Sequence, residues 1–324
     1  MYKKYYGFSR NPFEISPDPY FFYPTPRHNE ALASLTYGVY RKKGFVVVTG
    51  EVGTGKTLLV RFLLEALNRN NNIASAFVYN PRLSVLDFLA HILTDLRITM
   101  AGRTKSEMLS RLNNYLVARA RAGGTTALVV DEAQLLSCEL LEEIRLLTNL
   151  ETSQHKLLQI VLVGQPELDL KLDSRELRQL KQRVAFRCTL APLEMEELRG
   201  YIHRRLHLAG ANSHSAAIFP DDTIAVIYKH SRGIPRLANT LCENSLVSGF
   251  SRQTKQITPE IVEEVATSFR LDVPAMPSVS IPGSGGSEDR KKILQMLALM
   301  MKEMDGGSGR PPEEISLAPG LETE

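Results

Sequence analysis

From Gly44 onward the chain alternates short β-branched runs with longer segments whose apolar residues recur at helical spacing. The runs GFVVVTG, ASAFVYN, TTALVVDE, LLQIVLVG and FRCTL predict five strands. Several have no polar face at all: Val46 to Val48 and Leu128 to Val130 are continuously apolar, as strands covered on both sides must be. Strands of that kind separated by amphipathic helices predict an α/β domain, a central parallel five-stranded sheet flanked by helices, over residues 44–193.

After CTLAPL, near residue 193, the strand pattern stops. Helical segments are predicted at Glu194 to Ala209, Pro220 to His230, Pro235 to Phe250 and Pro259 to Phe269, with Thr258-Pro259 reading as an N-cap followed by a first-turn proline. Residues 194–270 therefore form a small all-helical domain. Ahead of the α/β domain, residues 1–43 hold a proline- and aromatic-rich stretch that forbids a continuous helix before Arg27, then the helical run HNEALASLTYGVY. Residues 271–287 have linker composition and 288–304 predict a short amphipathic helix with one apolar stripe. Residues 305–324, dominated by Gly, Pro and Glu, have too few apolar groups to offset the entropy of ordering and are expected to be disordered.

Composition narrows the class. A net charge of +3 with Lys and Arg spread along the chain does not by itself indicate nucleic-acid binding. Cys138, Cys188 and Cys242 lie far apart, without the spacing of a zinc site or a disulfide framework. No apolar stretch follows the amino-terminal lysines, and Ile293 to Met301 is about half the length of a spanning helix. The expectation is a cytoplasmic protein without a transmembrane segment, open to recruitment to the inner face of the membrane.

The chemistry is concentrated at three strand ends. Gly50-Glu51-Val52-Gly53-Thr54-Gly55-Lys56-Thr57, with Leu58 after it, fits G-x-x-x-x-G-K-[ST] between a strand and a helix. Glycines there let backbone N–H groups curl around phosphate oxygens, Lys56 reaches the β- and γ-phosphates, and Thr57 is a Mg²⁺ ligand. The run Thr126 to Glu132 ends in two carboxylates. In a parallel sheet that end borders the ligand crevice, so Asp131 completes the Mg²⁺ shell and Glu132 polarises the attacking water. Gln165, ending a third strand, can orient that water, and Asn80 can hold Glu132 by a hydrogen bond. Cationic groups from outside the loop are expected at the γ-phosphate. Arg183, or Arg178 near it, and Arg236 in Gly-Ile-Pro-Arg at a helix start are the candidates. His203 and His207 stand at i, i+4 but lack a third ligand, so they read as exposed helix residues.

The succession NPFEISPDPYFFYPTPRHNEALASLTYGV, GFVVVTGEVGTGKT, VVDEAQLL, VLVGQPEL, LRQLKQRV and RGIPRLAN resembles the bacterial secretion ATPases of the ExeA, or general secretion pathway protein A, type over residues 1–270. Pilus-biogenesis (MshM-like) and exosortase-associated ATPases share it. The resemblance implies an AAA+ module with ATP and Mg²⁺ between the α/β domain and a helical lid. It also implies Asp131 and Glu132 as the second nucleotide motif, Gln165 as first sensor, Arg183 as arginine finger and Arg236 as second sensor. The amino-terminal segment then borders the adenine, with Phe13 as the contact. Longer relatives continue into a membrane span and a peptidoglycan-binding region; the short linker and tail here predict that cell-wall binding does not carry over. The implied activity is ATP hydrolysis by a homo-oligomer, ring or filament, serving a protein partner in envelope assembly, secretion or exopolysaccharide export. The same module is similar to target-selecting transposition ATPases of the TniB and TnsC types, which makes a DNA-associated regulator the alternative.

Overall fold

Side chains alternate between the two faces of a strand, and that alternation decides which helices cover which side of the sheet. The computed structural model describes residues 2–270 except 15, 17, 80, 100–103, 153–154 and 212–214. The linker, amphipathic segment and tail expected at 271–324, and the role given to Asn80, lie outside the described residues. Strands β1 (Phe45–Gly50), β2 (Ile73–Val78), β3 (Thr125–Val130), β4 (Leu158–Gly164) and β5 (Phe186–Leu190) form one parallel sheet in the order β2-β3-β4-β1-β5. The central β1, β3 and β4 are buried along their whole length, whereas the edge strands β2 and β5 are only partly buried. This is the fold class that the apolar pattern predicts.

On one face Val46, Val48, Ala127, Val129, Val161 and Val163 pack against α2 (Pro26–Tyr40) and α3 (Lys56–Asn68). Their neighbours on the other face, among them Val47, Leu128, Val130, Ile160 and Leu162, meet five helices. These are α4 (Val85–Asp95), α5 (Lys105–Arg121), α6 (Cys138–Leu147), α7 (Pro166–Leu172) and the short α8 (Arg178–Lys181). Local chemistry fixes the starts: Thr25, Ser84, Thr104 and Ser137 each cap a helix by accepting a backbone N–H, and Thr104 with Glu107 forms a reciprocal capping box.

The helical part consists of α9 (Met195–Leu206), α10 (Ser215–Ile218), α11 (Asp221–Ser231), α12 (Pro235–Ser251) and α13 (Pro259–Ser268). Its core is completed by the amino terminus: Tyr6, Phe8, Phe13 and Phe21 are buried among the helices, α1 (Tyr2–Tyr6) lies against α12, and the Ser9 N–H donates to Ala209 O at 2.7 Å. Residues 1–43 thus divide physically. The first twenty or so belong to the helical core, and α2 belongs to the sheet. Phe13 has 0% exposure and meets Phe219 edge-on with ring centres 5.9 Å apart. Among the described residues no helix is long and apolar enough to cross a membrane.

A ring buried this completely makes the amino terminus a structural part of the helical domain. Phe13→Ala is expected to lower unfolding free energy by about 3–5 kcal/mol, read from the midpoint of a urea titration. A midpoint unchanged from the parent would mean that the amino terminus is not part of this core.

Candidate nucleotide site

The strand order brings three chemical segments to one edge of the sheet: β4 lies between β1 and β3, so Gln165 sits between the glycine-rich loop and the Asp131-Glu132 pair. Gly53 and Gly55 adopt left-handed backbone angles (φ +84° and +101°) that let the loop turn back before α3 begins. A side chain at Gly53 is excluded a second way, because a Cβ there would lie 2.6 Å from Cβ of Arg236. The loop ends directly on α3, whose first N–H groups and partial positive charge face any anion held there.

Lys56 is buried, and its Nζ donates to the carbonyls of Gly50 at 2.6 Å and Glu51 at 2.8 Å. Burial depresses the ammonium's pKa, while the nearby Glu132, Asp131 and Glu51 pull it the other way. Asp131 is 5% exposed, and burial pushes its carboxyl above the ordinary carboxylate range. The Glu132 N–H donates to its Oδ1 at 2.9 Å and Thr57 Oγ1 donates to its Oδ2 at 3.2 Å. Hydroxyl and carboxylate oxygens so placed are the hard donor set that Mg²⁺ takes. The donor set therefore fits the ion expected from the sequence, for which Thr57 and Asp131 would be the ligands.

Glu132 has a left-handed backbone (φ +51°), unusual for a residue with a side chain, and lines the cleft. Gln165 Nε2 donates to Glu132 Oε2 at 3.2 Å, so the polar residue ending β4 does reach the carboxylate ending β3. The cleft, about 400 Å³, is lined by residues 52–58, by Glu132, by Glu14 and Phe21 to Tyr23 of the amino-terminal segment, and by Tyr201, Arg205, Arg236 and Asn239 of the helical part. Arg236 is the second residue of α12, its backbone N–H donates to Gly53 O at 3.3 Å, and its exposed side chain borders the cleft.

Two expectations need revision. Phe13 is not on the cleft, because its ring is spent on the helical core; the Phe and Tyr side chains that line the cleft are Phe21, Phe22, Tyr23 and Tyr201. Of the paired histidines only His207 is exposed; His203 is half-buried, and burial lowers its pKa. Arg183 lies before β5 and donates to Thr148 Oγ1 at 2.8 Å, away from its own chain's cleft.

Three residues escaped sequence reasoning. His28 is buried beneath the loop: its Nε2 is 3.0 Å from Thr54 O and its Nδ1 2.7 Å from Thr25 Oγ1. A neutral ring protonated on Nε2 satisfies both contacts, in keeping with the lowering of its pKa by burial. Arg205, 6% exposed, donates to Pro12 O and to Tyr201 Oη, both at 2.5 Å, and lies over the Phe21 ring at 4.8 Å. Gln134 bonds both Glu132 and Gln165. Only Gln134 carried a signal, an amide two residues past the carboxylate pair.

Residues 39–172 match the family model of an AAA domain. Over 258 residues, 79% of this chain and 46% of the other, the sequence is 42% identical to general secretion pathway protein A of Aeromonas hydrophila. Over 132 residues, 40% of this chain and 39% of the other, it is 33% identical to the ATP-dependent target DNA activator B of Escherichia phage Mu. The chain thus spans less than half the length of these curated relatives. Among solved structures, Cdc6p from Pyrobaculum aerophilum superposes with a TM-score of 0.60 at 20% identity, covering 78% of this chain and 70% of the other, a likeness of fold.

The raised pKa of Asp131 has a consequence for stability. The folded chain keeps that proton to a higher pH than the unfolded chain does, so stability falls as pH rises from the unfolded value, about 3.9, to the folded one. Asp131→Asn is therefore expected to melt at a higher temperature than the parent at pH 7 without nucleotide or Mg²⁺, the gap closing as pH falls toward about 3.9. Equal melting at neutral pH would show that this carboxylate carries no desolvation cost.

Proposed function

We propose that the chain, which carries an AAA domain over residues 39–172, is an AAA+ ATPase that hydrolyses ATP in the cleft between the α/β domain and the helical domain, and that it works as a homo-oligomer supporting envelope assembly, protein secretion or exopolysaccharide export. The observation that carries the catalytic part is the convergence of Lys56, Thr57, Asp131, Glu132 and Gln165 at the carboxyl ends of three adjacent strands. The loop from Val52 to Leu58 cradles the phosphates with backbone N–H groups, and Lys56 exchanges its two carbonyl acceptors for phosphate oxygens. Thr57 and Asp131 would hold Mg²⁺, whose charge would offset that of the phosphates. Glu132 accepts a proton from the attacking water, and Gln165 keeps that carboxylate and the water in line.

Arg236 reaches the nucleotide from the helical side, at the point where α12 already touches the loop. Arg183 bonds Thr148 and is not among the residues that line its own cleft, which leaves it for a neighbouring copy's γ-phosphate. The pathway assignment draws on the similarity to general secretion pathway protein A, which extends over more of the chain and at higher identity than the similarity to the phage DNA activator. Glu132→Gln is expected to cut turnover about 10²- to 10⁴-fold while ATP affinity stays near the parent's. Turnover per chain is expected to rise with protein concentration, as neighbours supply Arg183, and to be indifferent to duplex DNA. Steady-state phosphate release measured across a concentration series, with and without DNA, checks both. A sharp rise with DNA would favour the target-DNA type of regulator, and turnover independent of concentration would remove the role of Arg183.

A further inference from the structure

Gln134 lies in the short 3₁₀ turn, Ala133–Leu135, that follows the two carboxylates, and it is 8% exposed. Both ends of its amide are engaged. Nε2 donates to Glu132 Oε2 at 2.6 Å, and Oε1 accepts the backbone N–H of Gln165 at 3.0 Å. The position is held on every side. A Cβ on Gly164 would come within 2.9 Å of Gln134 Oε1, so the residue before Gln165 has to be small for the amide to lie there. Lys171, from α7, donates to the carbonyl of Gln134 and, at 2.9 Å, to that of Leu136, which pins the turn itself.

The two glutamine amides converge on the same carboxylate oxygen, Oε2 of Glu132. The other oxygen, Oε1, is then the one left to take a proton from water. We infer that Gln134 is a positioning residue for ATP hydrolysis: one side chain couples the direction of the Glu132 carboxylate to the end of β4, so that base and Gln165 move as a unit. The inference rests on the reading of Glu132 as the residue that activates water. A buried, satisfied glutamine closing a turn is the ordinary alternative, and the two differ in what happens to the base when the amide is changed. Glutamate at this position keeps an acceptor for the Gln165 N–H but replaces the donor to Glu132 with a second carboxylate. Two adjacent carboxylates oppose each other's ionisation.

The test uses the full chain and the variants Gln134→Glu, Gln134→Leu and Glu132→Gln, with kcat measured by phosphate release and ATP affinity by titration of a fluorescent ATP analogue. In Gln134→Leu, which removes the amide, and in Gln134→Glu, where like-charge repulsion replaces the donor, kcat is expected to fall roughly 10- to 100-fold with affinity for the analogue held within about twofold, the signature of a misaimed group rather than a damaged binding site. Should the leucine variant fail to fold, the isosteric glutamate variant still decides the matter through the same split between kcat and affinity. Parental kcat in the folded Gln134 variants, with turnover still lost in Glu132→Gln, overturns the positioning role and leaves the hydrolytic site standing. Parental turnover in Glu132→Gln overturns both.

Discussion

Two buried charges of opposite sign at the carboxyl edge of a parallel sheet are the constraint on which the site depends. Lys56 and Asp131 are both held where desolvation disfavours their ionised forms, and each is opposed in this by the other's field. Neither charge is matched by a close ion pair, since Lys56 spends its hydrogen bonds on backbone carbonyls and Asp131 on a hydroxyl and an N–H. An arrangement that leaves a cation and an anion incompletely compensated in one cleft has the electrostatics to take up a phosphate together with a divalent metal. Stability is given up at the place where ligand charge restores it, as is common at functional sites.

The second constraint is covalent and steric. The amino terminus contributes Tyr6, Phe8, Phe13 and Phe21 to the helical core, crosses the cleft through Phe22 and Tyr23, and then runs into α2 on the sheet. The helical domain is therefore tied to the α/β domain on two sides, by this segment and by the junction at Leu193, whose N–H donates to Gly233 O at 2.8 Å. Arg205 fastens the first tie by bonding Pro12 O, and the Arg236 N–H fastens α12 to the glycine-rich loop at Gly53 O. A ligand between the two domains thus contacts both ties. His28 adds a link from α2 to the loop at Thr54, so the amino-terminal segment, the loop and the helical domain share one set of hydrogen bonds.

Much of the fold was legible because it is written in short-range pattern. Continuous apolar runs marked the buried central strands, and threonine, serine and proline marked helix starts. Pro259 and Pro235 open α13 and α12 where their missing N–H groups cost nothing. The partly buried β5, FRCTL, was readable for the same reason, since every second residue faces α2 or solvent. What escaped were residues whose neighbours lie far along the chain. Phe13 was expected at the base because the family resemblance puts the amino-terminal segment at the adenine; its partner Phe219 is some two hundred residues away. Arg205 sat inside a histidine-bearing stretch that drew attention to the wrong side chains.

The sequence by itself determined the glycine-rich loop, the carboxylate pair and the alternation of strand and helix, because each is set by backbone conformation and residue chemistry within a few positions. The tertiary structure alone decided that β4 lies between β1 and β3, and with it that Gln165 and Gln134 meet on one oxygen of Glu132. It also decided that Phe13 is core rather than ligand contact, while Phe21 to Tyr23 line the cleft. Those facts depend on which faces come together across the whole chain, and burial of apolar surface, which makes that choice, has no local signature in the order of residues.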